Sequence, residues 1–108
     1  MRDLTLAPLQ EALAALTDRC YHYVAAPNSS APYLVWMEDG DNDLNADNVH
    51  AETCITGTED LYTRTENDPL MQSVPEALTG IGAAWLLNSV QYEEETGLIH
   101  YEWAWEMV

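Results

Sequence analysis

Leu6, Leu9, Leu13, Leu16 and Cys20 recur at alternating steps of three and four, the spacing of one face of a helix. Pro8 suits the first turn of that helix, where its missing N–H costs nothing. The pattern predicts a helix over residues 6–19, ending before the aromatic run Tyr21-His22-Tyr23. Pro27 to Pro32 (PNSSAP) reads as a loop. The period then changes to two. Tyr33, Val35 and Met37 alternate with Leu34 and Trp36, which predicts a strand, and Asp39-Gly40 marks its end. An acidic stretch follows: Asp41, Asn42, Asp43, Asn45, Asp47 and Asn48 leave nothing to bury. A second strand carries Thr53, Ile55, Thr56, Leu61, Tyr62 and Thr63.

Asp68-Pro69 reads as an N-cap and first-turn pair. Leu70, Val74 and Leu78 then recur every four residues and predict a helix near 69–80. Pro75 lies inside it and removes a hydrogen bond. Ser73 and Glu76 have capping-box spacing, so a kink or a fresh start at Ser73 is expected. The last quarter predicts a β-hairpin: Ala84–Tyr92, a turn over Glu93–Gly97, and Leu98–Met107. Ile99, Tyr101, Trp103, Trp105 and Met107 share one face; His100, Glu102, Ala104 and Glu106 share the other, wetter face. The order α-β-β-α-β-β predicts a single α+β domain over 1–108. Its four-stranded antiparallel sheet would carry two helices on one face.

Composition adds one fact of consequence. The 108 residues hold 19 acidic side chains and three cations, Arg2, Arg19 and Arg64, for a formal charge of −16. Such a chain repels nucleic-acid phosphate. It points to a basic partner, to a need to repel DNA, or to mimicry of DNA. The hydrophobic fraction of 47% is that of a folded domain. A chain of this size buries roughly two-thirds of its unfolded surface. The first residues lack the apolar run of a secretion signal and no run is long enough to span a bilayer. A cytoplasmic, reduced protein with no membrane partner is expected. Cys20 and Cys54 are too few for a disulfide framework.

No constellation for catalysis emerges, and neither enzyme activity nor a cofactor is expected. Asp41-Asn42-Asp43-Leu44-Asn45-Ala46 with Glu52 approaches an EF-hand loop. Ala46 stands where that loop needs Gly, Asn48 where it needs an apolar residue, and the flanks read as strands. Cys20, His22, His50 and Cys54 offer zinc donors in poor spacing; in a strand His50 and Cys54 sit roughly 13 Å apart. No metal site is expected from either set. Glu93-Glu94-Glu95 reads as a solvated turn. The stripe Tyr101, Trp103 and Trp105 suits core packing, and it also suits a subunit interface.

Three segments carry a family resemblance: PYLVWMEDGDNDLNADN, GTEDLYTRTENDP and LLNSVQYEEETGLIHYEWAWE. They resemble small proteins encoded in the tail modules of prophages and long-tailed phages of Gram-positive bacteria, the tail-terminator (tail-completion) family. The resemblance runs from the first helix to the last Trp. It implies a non-enzymatic protein that forms a ring, usually a hexamer, on the head-proximal end of the tail tube. Such a ring stops tube growth and docks on the head connector. The implied partners are other copies of the chain, the tail-tube protein and the head–tail connector protein. The implied location is the host cytoplasm during assembly and then the virion tail. Asp39, Asp41, Asp43 and Asp47 would lie at ring or tube contacts, with Tyr101, Trp103 and Trp105 as the apolar strip. A negatively charged channel would let DNA slide through. An acidic DNA mimic that blocks a host defence enzyme, and a head-closure adaptor, remain as alternatives.

Overall fold

The computed structural model describes residues 6–42 and 54–107. Two helices and five strands follow the order α1 (Ala7–Ala14), β1 (Cys20–His22), β2 (Tyr33–Asn42), β3 (Cys54–Thr63), α2 (Leu70–Gly80), β4 (Ala84–Glu93) and β5 (Leu98–Met107). The strands form one sheet in the order β1-β2-β3-β5-β4. β1 runs parallel to β2, and every other pair is antiparallel.

This corrects the expected four-stranded antiparallel sheet. The sheet is mixed and has a fifth strand, Cys20–His22. Three residues are too short to show a period of two, and a helical spacing runs straight into them. The helical spacing does mark buried positions, but two elements share them. α1 stops at Ala14, where the Leu16 amide bonds the Leu13 carbonyl and the Arg19 amide bonds the Thr17 hydroxyl. The chain then extends, and Cys20 reaches the same core from β1.

α2 lies where the four-residue spacing puts it. It is one helix from Leu70 to Gly80 with Pro75 inside it, and it does not restart at Ser73. Asp68 holds its start, with Oδ1 accepting from the Leu70 amide at 2.9 Å and Oδ2 from the Thr63 hydroxyl at 2.6 Å. Burial of Val74 and Leu78 on either side of Pro75 offsets the lost hydrogen bond.

Both helices lie on one face of the sheet. Leu9 and Leu13 of α1 and Val74 and Leu78 of α2 pack against Leu34, Trp36, Leu61, Tyr101, Trp103 and Trp105. The register explains the set. Gly57 lies opposite Trp105, Glu59 opposite Trp103 and Leu61 opposite Tyr101. A Cβ at Gly57 would collide with the Met37 carbonyl oxygen and the Trp105 ring. The indole therefore rests on bare backbone, a use of glycine for close approach. Gly57→Ala should destabilise the fold by about 3 kcal/mol, the upper end of overpacking, because one colliding atom is backbone and cannot turn aside. Chemical denaturation checks this; a loss below about 1 kcal/mol would refute the contact.

Candidate functional site

The large exposed hydrophobics among the described residues fall at the two opposite edges of the sheet. Trp85, Leu86, Leu87, Val90 and Tyr92 lie on β4, and Tyr23 and Val24 follow β1. Register places Trp85 opposite Trp105, Leu87 opposite Trp103, Val90 opposite Tyr101 and Tyr92 opposite Ile99. These four therefore share the helix-bearing face. A bulge between Leu87 and Ser89 makes this so. Strict alternation from Leu87 would have turned Ser89 and Gln91 to that face; the extra residue brings Val90 and Tyr92 there instead.

α2 meets this strip at Trp85, whose indole N–H donates to the Thr79 hydroxyl at 2.9 Å. Beyond it a groove of about 670 Å³ opens, floored by Val90, Tyr92, Ile99 and Tyr101 and walled by Arg64 and Glu66. The Arg64 guanidinium donates to the Thr96 carbonyl and so tethers the β3–α2 loop to the hairpin turn. Gly97 closes that turn at φ +73°, a backbone that favours glycine.

The β1 edge is built differently. His22 is sandwiched between Tyr23 and Trp36, with ring centroids 3.8 and 3.7 Å away. Its Nε2 lies 2.6 Å from Glu38 Oε1, and that bond holds the Glu38 carboxyl below its ordinary range. Tyr23 has a left-handed backbone, φ 74°, and its ring is half exposed.

The predicted contact residues divide. Tyr101, Trp103 and Trp105 are buried under the helices and belong to the core. The apolar strip free to meet a partner is on the neighbouring strand, β4. Asp39 is exposed at a bulge in β2, where its carboxylate accepts from the Thr56 hydroxyl at 2.8 Å. Asp41 pairs with Ile55 near the end of β2. Asp43 and Asp47 lie outside the described residues, as do His50 and the rest of the EF-hand-like loop up to Glu52. Cys20 and Cys54 form no disulfide. Their registers set them on opposite faces of the sheet, so they do not converge on one metal.

The face opposite the helices holds the one group of clustered metal-ligating side chains found among the described residues: Asp60, His100 and Glu102. Residue types and spacing do not point to it, because the cluster exists only through the β3–β5 register. His100 Nε2 lies 2.8 Å from Asp60 Oδ1. That bond raises the His100 pKa, burial opposes it, and the charges of Asp60, Glu93 and Glu102 add to it.

One core residue contradicts its surroundings. Glu59 is fully buried on the helix face, opposite Trp36 and Trp103. Among the described residues neither carboxyl oxygen has a well-formed hydrogen bond, the Asp60 backbone N–H being the one donor that favours its charged form, and the buried Trp105 Nε1 has none. Burial first, and the Asp60 charge second, push its pKa well above 4.5. The Cys20 thiol is likewise pushed up to about 12, by burial and then by Glu59. A carboxyl with a raised native pKa costs no charge burial below its unfolded value and destabilises increasingly as pH rises above it. Glu59→Met should therefore stabilise the protein by roughly 1–3 kcal/mol at neutral pH. The gain should shrink as pH falls through 4.5. Denaturant melts from pH 4 to 8 in metal-free buffer measure it; a gain that grows toward low pH would contradict the assignment.

The sequence matches no family model, and no curated protein is significantly similar to it.

Proposed function

We propose that this protein is a structural component of a phage or prophage tail, assembling as a closed ring that ends tail-tube growth and joins the tube to the head connector. The observation that carries the reading is the pair of unlike apolar edges. β4 presents Trp85, Leu87, Val90 and Tyr92, and the β1 end presents Tyr23 and Val24. An edge that meets a different edge makes a heterologous contact, and such contacts close into rings when the rotation permits. β4 is also an outer strand, paired only with β5 among the described residues, so its backbone is open to another chain. The resemblance in the three sequence segments supports the same reading and supplies the tail role. The charge of −16 suits a channel that DNA must traverse without adhering.

The same charge opposes assembly. Salt at about 0.15 M confines the repulsion to roughly 8 Å, so ring formation should strengthen with ionic strength. Adding the protein to polymerising tail-tube protein should yield tubes of limited length with density at one end in electron micrographs. Val90→Arg places a charge on an exposed position; it should fold with stability within about 0.5 kcal/mol of wild type and fail to cap tubes. Tubes that grow unchecked with the wild-type chain would contradict the proposal and favour the acidic DNA mimic.

A further inference from the structure

Asp60 on β3 lies directly opposite Glu102 on β5, and His100 lies two residues before Glu102 on the same face. One donor atom from each of the three falls within 4.8 Å of the others. Donors on a tetrahedral zinc ion at about 2.1 Å lie roughly 3.4 Å apart. An ion would draw the three donors together and take the place of the His100 Nε2–Asp60 Oδ1 hydrogen bond, whose atoms now lie 2.8 Å apart. Sites on paired strands hold their geometry better than sites on loops, and these two strands are interior to the sheet.

The surroundings hold two of the donors, His100 and Glu102. Tyr62 stacks on the His100 ring with centroids 4.3 Å apart, and Tyr33 stacks on Tyr62 at 4.9 Å. Asn88 Nδ2 donates to Glu102 Oε2 at 2.7 Å, leaving the second oxygen of that carboxylate for another partner. Glu93 Oε2 lies 4.0 Å from His100 Nδ1, on the far side of the ring from Asp60. A small closure would make the carboxylate–imidazole–metal relay common at metal sites.

Two carboxylates face each other across the strands, and the His100 imidazole bonded to Asp60 offsets their repulsion only when protonated. Like charges directly opposite on adjacent strands destabilise a sheet, and Asp60 and Glu102 are such a pair, with Asp60 largely buried. We propose that Asp60, His100 and Glu102 bind one divalent transition-metal ion, with zinc the best match. One imidazole and two carboxylates suit zinc, with water in the fourth position. Calcium, which takes six to eight oxygen ligands, suits the set poorly. The ion would clamp β3 to β5 on the face opposite the helices.

Titration of the chelator-treated full chain with zinc chloride in a calorimeter should show one ion bound per chain, with a rise in melting temperature. Glu102→Gln keeps size and hydrogen bonding at a half-buried position and should weaken zinc at least tenfold; His100→Gln should do the same. Cobalt loading should give a d–d absorption band without thiolate charge transfer, separating this site from Cys20 and Cys54. Calcium at the same concentrations should not move the melting temperature. Zinc affinity unchanged in both variants, or a cobalt–thiolate band, would overturn the proposal.

Discussion

The contact of Trp105 with the bare backbone of Gly57 fixes the register on which the rest of the structure depends. A side chain at residue 57 would collide with the Met37 carbonyl and the indole at once. Slipping β5 by one residue along β3 would bury Glu102, Ala104 and Glu106 and expose three aromatic rings, because side chains alternate with a period of two. With Trp105 seated, Trp103 faces Glu59, Tyr101 faces Leu61, and His100 and Glu102 are turned to the opposite face beside Asp60. One steric constraint thus determines both what the helices cover and which side chains gather on the opposite face.

Helix length decides what stays uncovered. α1 and α2 have 8 and 11 residues, about 12 and 16 Å of helix. The long strands have ten residues, about 33 Å. The helices pack on buried side chains of β2, β3 and β5, and α2 bonds β4 at Trp85, near its start. The bulge at Asn88 then keeps Val90 and Tyr92 in line with Trp85 and Leu87. An exposed apolar row on an outer strand invites association. In a chain of charge −16, self-repulsion limits that association to contacts whose shape and apolar area outweigh it.

The sequence announced much of this through period alone. The C-terminal hairpin and α2 stand within a residue or two of where the alternation and the four-residue spacing put them. β1 was illegible because three residues carry no period and Cys20 continues the spacing of α1. The aromatic stripe was ambiguous between core and interface; only the helices lying over Tyr101, Trp103 and Trp105 decide it. The strip on β4 was hidden by its bulge, since WLLNSVQY read with strict alternation divides its apolar residues between two faces. Asp60 and His100 are forty residues apart. Nothing but strand pairing joins them, so residue types and spacing did not point to their cluster.

If β4 is the surface through which copies meet, particle mass must depend on it. Light scattering of the isolated chain at rising concentration, in buffer of about 0.15 M ionic strength, should show mass climbing from a single chain to a fixed multiple. Val90→Arg should hold the mass at one chain with unchanged circular dichroism. Wild type and variant giving the same mass at every concentration would contradict the assignment of β4 as the contact.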